Sequence, residues 1–206
     1  MQIHRVDAAP EHAGAHAALV DAAHRVDRRQ VQLLDHRAAL QRRFGNRIEQ
    51  ALRLYPADDD LQAQRASRQL TGDELFAWGV WRAVTDHARV APTYVYHFDH
   101  RQPFAPRQGY REATPAGDLG VFHSSEYPYV FGSTAVLTRD WGEDDHRVTR
   151  MMQSRWLAFA RSGDPNVAGQ PRWPRFDDAR RTVLRLAAQC ATIAVPRREQ
   201  LLFVDR

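Results

Sequence analysis

The hydrophobic pattern of this 206-residue chain changes its period at Ala91–Pro92. Before that point apolar residues recur at three- and four-residue spacing, which predicts amphipathic helices. After it, residues 93–98 (TYVYHF) are rich in β-branched and aromatic side chains, as a buried strand is. The pattern therefore predicts a mixed α/β protein that is helix-rich in its first half.

Three helical stretches are expected before that point. The first follows Asp35 and carries an apolar stripe that Gly45 is expected to interrupt. The second is expected to begin within residues 58–60, whose carboxylates suit a helix N-terminus. The third follows residues 71–73 (TGD), and its apolar side chains are expected in the core: Leu75, Phe76, Trp78, Val80, Trp81 and Val84.

After the predicted strand comes a polar connection, residues 99–118, and connections of this length are often functional. The clearest helix of the chain is expected from Glu143 to Arg161, because acids occupy its start and Gly163 follows its end. Residues 181–186 and 191–195 predict two short strands, and residues 197–202 a last turn of helix.

Composition excludes several classes of protein. The one cysteine, Cys190, rules out an intrachain disulfide and a CxxC site, and it is expected to be a buried small hydrophobe. The net charge is +4, but the arginines are scattered, so no nucleic-acid partner is expected. No apolar run is long enough to cross a bilayer, and residues 1–20 lack the features of a secretion signal. These observations predict a soluble, cytoplasmic chain without a membrane partner, although a longer version of it could be exported.

Residues 1–30 differ from the rest in their excess of alanine and histidine. A helix from Ala13 to Val26 and a poorly packed extension are both open interpretations. His12 and His16 would share a helical face, but no partner follows at zinc-site spacing, so no metal is expected. We therefore expect a separate N-terminal extension, residues 1–30, before a domain formed by residues 31–206.

The candidate functional residue is His123, in the segment GVFHSSEYPYVFG at positions 120–132. A histidine acting as a general base needs a pKa near the working pH, a fixed orientation and an open face toward substrate. A loop that leaves the carboxyl end of a strand provides such a position in α/β proteins. On local grounds alone, a structural histidine is the competing interpretation.

The segment resembles the histidine segment of the type-B carboxylesterases, the family that includes cholinesterases and bacterial para-nitrobenzyl esterases. That family carries the pattern G-x-x-H-x-x-E-x-x-x-x-F-G, and five positions match it in order: Gly120, His123, Glu126, Phe131 and Gly132. Further resemblances are residues 94–101 (YVYHFDHR), 156–166 (WLAFARSGDPN) and 173–174 (WP). Together with shorter signatures upstream they cover roughly residues 30 to 190.

The resemblance implies the C-terminal part of an α/β-hydrolase fold, helix-rich with a few late core strands. It also implies a Ser, Glu, His triad that acts on small-molecule carboxylic esters without a cofactor. His123 matches the catalytic histidine, and Glu126 matches a glutamate expected to support the site from behind. Glu11 lies in the region appropriate to the triad acid, but its flanking residues do not match the family.

No G-x-S-x-G nucleophile segment occurs in this sequence. The first hypothesis is therefore the histidine-bearing portion of an ester hydrolase, inactive without a serine-bearing portion. The alternative is a non-catalytic remnant or interaction module that self-associates through an exposed sheet edge. The sequence of residues 1 to about 30 looks unrelated to the family, as a truncated or frame-shifted reading frame would produce.

Overall fold

A computed structural model of the chain describes residues 33–104, 120–177 and 179–205. The described residues form two compact units. One comprises the described residues up to Gly79 together with those from Glu199 onward, and the other comprises Val80–Arg198. The predicted extension, residues 1–30, lies outside the described part of the chain, so its separation from the rest stays a prediction.

Helices account for most of the ordered elements. They are α1 (Leu33–Phe44), α2 (Ile48–Leu54), α3 (Asp60–Gly72), α4 (Trp78–His87), α5 (Tyr127–Phe131), α6 (Glu143–Ser162) and α7 (Arg198–Val204). A 3-10 turn, Gly45–Arg47, separates α1 from α2, and Gly45 has the positive φ of 54° that glycine adopts without strain. The predicted interruption at Gly45 is thus confirmed.

The first unit buries one face of its helices around Leu40, Phe44, Tyr55 and Phe203. Helix α3 begins where the carboxylate triplet predicted it, because Asp59 Oδ1 accepts a hydrogen bond from the Gln62 backbone N–H at 2.7 Å.

The prediction of a third, separate helix after residues 71–73 is wrong. Helix α3 continues through a π-helical turn, Asp73–Ala77, directly into α4. The prediction that its apolar side chains form core is also wrong for most of them: Leu75, Val80, Phe76 and Trp78 are exposed, and Leu75 is 68% exposed. An apolar helical stripe predicts that some face is buried, but tertiary packing decides how much of the stripe is covered.

The second unit contains a three-stranded sheet in the order β1-β2-β3, with β1 at Tyr96–Phe98, β2 at Thr182–Leu186 and β3 at Ala191–Ala194. Strand β1 pairs parallel with β2, and β2 pairs antiparallel with β3. The two late strands are confirmed within a residue, but β1 is shorter than predicted. Its expected first part instead contributes an isolated antiparallel bridge from Tyr94 to Arg175.

Helix α6 contributes Val148 and Met152 to the second core, and the strands β1 and β2 contribute Phe98, Leu184 and Leu186. That core contains Phe98, Tyr129, Val148, Met152, Trp173, Leu184 and Leu186. Gly163, with φ of 72°, ends α6 as predicted. Cys190 packs against this core as a small hydrophobe, but it is only half-buried, so the prediction that it is buried is wrong. Within the described ranges, no helix has the length and apolar character needed to cross a membrane.

Candidate active site

His123 is the exposed first residue of a turn, residues 123–126, which leads into α5. Pro128 in the first turn of α5 and Gly132, with φ of 67°, after its last residue fix the bounds of this short helix. The turn therefore presents His123 to solvent at the start of a helix that is anchored in the core by Tyr129, whose side chain is fully buried.

The backbone beside His123 has an unusual conformation. Ser124 has a φ of 67°, in the left-handed region that residues other than glycine seldom adopt. Two local hydrogen bonds close the turn: the Ser125 N–H donates to the Phe122 carbonyl at 3.0 Å, and the Tyr127 N–H donates to the Ser124 carbonyl at 3.2 Å. The side chain of Ser125 points inward and is 1% exposed.

Glu126 is half-buried, and its carboxylate acts on Tyr96 at the start of β1. Burial, followed by the nearby charge of Glu126, raises the pKa of Tyr96 to about 12. The carboxylate of Glu126 is therefore near enough to the first residue of β1 to act on its charge.

A second histidine, which the sequence reasoning did not single out, lies just beyond the end of β1. His100 Nε2 is 2.8 Å from Asp145 Oδ1, and both side chains are largely buried. The same oxygen accepts a hydrogen bond from the Tyr129 hydroxyl at 2.7 Å. Asp145 Oδ2 accepts one from the Gly142 N–H at 2.9 Å, which caps the start of α6.

This polar cluster joins three elements: the end of β1 through His100, helix α5 through Tyr129 and helix α6 through Asp145. Burial, the hydrogen bond to Asp145 and its charge raise the pKa of Tyr129, and thereby keep its hydroxyl protonated as a donor. The three-residue spacing from Gly142 to Asp145 is typical of a helix cap, so the sequence could have indicated the capping role of Asp145. No local pattern identifies His100 and Tyr129 as its other partners.

The other predicted site residues do not enter the described geometry. Glu11, His12 and His16 lie outside the described residues, so the triad acid stays a prediction. Of the described residues, no three histidine, cysteine or acidic side chains form a group able to hold a metal ion. A cavity of about 670 Å³ lies between α6 and the turn that joins β2 to β3, and its lining includes Cys190 but not His123.

The model of the carboxylesterase family matches residues 9–204. The phenmedipham hydrolase of Pseudarthrobacter oxydans is 30% identical over 161 residues, which cover 75% of this chain and 30% of that protein. The liver carboxylesterase B-1 of Rattus norvegicus is 31% identical over 122 residues, which cover 59% of this chain and 20% of that protein. The chain thus spans between a fifth and a third of the length of these two relatives.

Proposed function

Because the chain belongs to the carboxylesterase family, whose fold is the α/β-hydrolase fold, we propose that it supplies the general base of a carboxylic-ester hydrolase and that this base is His123. The observation that carries the proposal is the position of His123. It lies in the segment that matches the family pattern at five residues, and its side chain is exposed on a turn that leads into α5, a helix anchored by the buried Tyr129 and ended by Gly132.

The chemistry assigned to His123 is proton transfer. A serine hydroxyl attacks the ester carbonyl while His123 takes the hydroxyl proton, and the proton then passes to the departing alcohol. In the second half, His123 takes a proton from water as the water oxygen attacks the acyl carbon, and the bond between that carbon and the serine oxygen then breaks. His123 passes this proton to the serine oxygen, which restores the serine hydroxyl as the carboxylic acid leaves. An imidazole suits the proton transfers of both halves of the reaction, because the ordinary pKa of histidine lies near neutral pH.

The nucleophile is proposed to come from sequence outside this chain, because no G-x-S-x-G segment occurs in its 206 residues. The matched share of the relatives, 20% and 30% of their lengths, leaves room for such a portion. A general base without a nucleophile or an oxyanion site loses nearly all of the catalytic advantage. We therefore expect negligible ester hydrolysis by the chain alone.

The acidic residues receive different roles in this proposal. Glu126 supports the turn from its inner side, consistent with its effect on Tyr96, and is not the carboxylate that orients the imidazole. Glu11 is the candidate for that carboxylate within this chain, on its position in the sequence alone. Replacing Glu11 by glutamine in an active mixture separates the two roles, because loss of the orienting acid lowers kcat strongly.

The experiment mixes the full chain with a separately expressed serine-bearing portion of a carboxylesterase and measures hydrolysis of short-chain para-nitrophenyl esters. Turnover is expected only in the mixture, and His123→Ala is expected to abolish it. His146→Ala is the matched control, because His146 is an exposed histidine on α6 outside the matched segment. Turnover that survives His123→Ala, or no turnover in a mixture that demonstrably associates, contradicts the proposal.

A second candidate function is a non-catalytic interaction module that self-associates. It is favoured by the exposure of Phe131 and Val136, which are 73% and 80% exposed, and by the position of β1 at one edge of the described sheet. Size-exclusion chromatography over a range of concentrations distinguishes the two. A monomer at all concentrations argues against the module.

A further inference from the structure

The left-handed backbone at Ser124 needs a contact that holds it. A residue with a Cβ atom stays in that conformation only where its surroundings determine it. The two hydrogen bonds within the turn, from Ser125 to Phe122 and from Tyr127 to Ser124, are local and move with the turn. They do not fix its orientation relative to the sheet.

A contact from outside the turn is made by Gln102, which lies four residues after the end of β1. Its side-chain Nε2 donates a hydrogen bond to the backbone carbonyl of Ser125. Gln102 is 3% exposed, and its bond joins the segment after β1 to the carbonyl of Ser125, the residue that follows the left-handed Ser124. The bond therefore fixes the turn relative to the strand that precedes it.

The burial of Gln102 is costly. Gln102 Oε1 and Ser125 Oγ are buried and have no hydrogen-bond partner within the described residues. A buried polar atom without a partner destabilises a fold, so an apolar side chain of similar size would be better here on packing alone. The amide gives this position what an apolar side chain lacks, which is a donor aimed at the Ser125 carbonyl.

We propose that Gln102 is a positioning residue for His123. Its hydrogen bond keeps Ser124 left-handed, and the orientation of the Ser124 peptide sets the direction of the adjacent His123 side chain. If Ser124 relaxed to the right-handed region, the Ser125 carbonyl would turn away from Gln102 and the His123 backbone would rotate with it. This inference rests on the proposed function for its importance, but its test uses no catalytic activity.

The test uses the full chain and the histidine side-chain signals in its NMR spectra, together with the rate at which diethyl pyrocarbonate modifies His123. Gln102→Leu is expected to shift the His123 signal and to change its modification rate by about threefold or more, because the left-handed turn is no longer the dominant conformer. Adding Ser124→Gly to it is expected to move both readouts back toward the original chain, because glycine adopts the left-handed region without penalty.

The matched control is Gln170→Leu, which removes a glutamine that bonds to Ser154 in the same unit, away from the turn. It is expected to leave the His123 signal and rate unchanged. If Gln102→Leu does not fold, as judged by circular dichroism, Gln102→Met, which is similar in length to glutamine, replaces it. Methionine has no hydrogen-bond donor, so the same shift in the His123 signal is expected.

The proposal is overturned if a folded Gln102 variant leaves both readouts unchanged, if Gln170→Leu changes them equally, or if Ser124→Gly gives no recovery. A merely structural glutamine would lower the unfolding temperature, without recovery of the His123 signal by glycine. Failure of the proposed function would appear differently, as ester turnover that survives His123→Ala while Gln102 still controls the His123 signal.

Discussion

His100 Nε2 lies 2.8 Å from Asp145 Oδ1, although 45 residues separate the two along the chain. The contact joins the end of β1 to the start of α6, and the Tyr129 hydroxyl shares the same carboxylate oxygen. Asp145 therefore connects the elements on both sides of the turn that carries His123.

Asp145→Asn is expected to lower the free energy of unfolding by about 2–4 kcal/mol. The carboxylate of Asp145 bonds to three groups, on His100, Tyr129 and Gly142, and one of these donors would then face an amide NH₂ in a buried site. Urea denaturation followed by circular dichroism measures the change. Asp144→Asn is the control, since Asp144 pairs with Arg147 in an exposed position, and an effect of about 0.5 kcal/mol or less is expected. Equal effects of the two variants would contradict the assigned role of Asp145.

Tyr96 is expected to stay protonated to unusually high pH. Its pKa is about 12 in the folded chain, against 10.0 ordinarily, so its contribution to stability is present below pH 10 and is lost as the pH rises toward about 12. Glu126→Gln is expected to lower the titration midpoint of Tyr96 but to leave it above 10, because burial is the larger cause. NMR titration of the tyrosine ring carbons measures the midpoint. Glu143→Gln is the control, because Glu143 is an exposed acid on α6, and it is expected to leave the titration midpoint of Tyr96 unchanged.

Gly132→Ala is expected to destabilise the chain by about 1–2 kcal/mol, because φ is 67° there. An added Cβ would also lie 2.4 Å from Gln153 Nε2, the end of a flexible side chain that swings away. Gly163→Ala separates the two effects, since φ is 72° and no heavy atom lies within 4 Å of an added Cβ. Thermal unfolding should give costs within about 0.5 kcal/mol of each other. A much larger cost at Gly132 would mean that Gln153 is held in place.

Phe131→Asp is expected to weaken any self-association of the chain by about tenfold, because Phe131 is 73% exposed and its ring packs edge-on against Tyr127 at 6.0 Å. Sedimentation velocity at several concentrations measures the change. Leu157→Asp is the control, an exposed apolar residue on α6 outside this pair. Equal weakening by both variants would show that association does not depend on the surface around Phe131.

Much of the secondary structure followed from local patterns. Asp59 and Gly163 begin and end helices where the sequence predicted, because caps act through bonds to backbone groups within one turn. The exposure of Leu75 and Val80 could not be predicted from the sequence, because the apolar stripe that contains them is compatible with a fully buried helix face and with a partly exposed one. The strand at Tyr94 was overestimated because β propensity does not include the pairing partner that extends a strand.

The sequence by itself determined the family, the helix and strand types and the segment that carries His123, because these depend on residue identity and short spacing. Only the tertiary structure decided which groups meet that segment. The hydrogen bond from Gln102 to Ser125 and the Asp145 contacts to His100 and Tyr129 join residues far apart in sequence. Such contacts form where packing of β1, α5 and α6 brings buried polar atoms together, and no local pattern encodes that meeting.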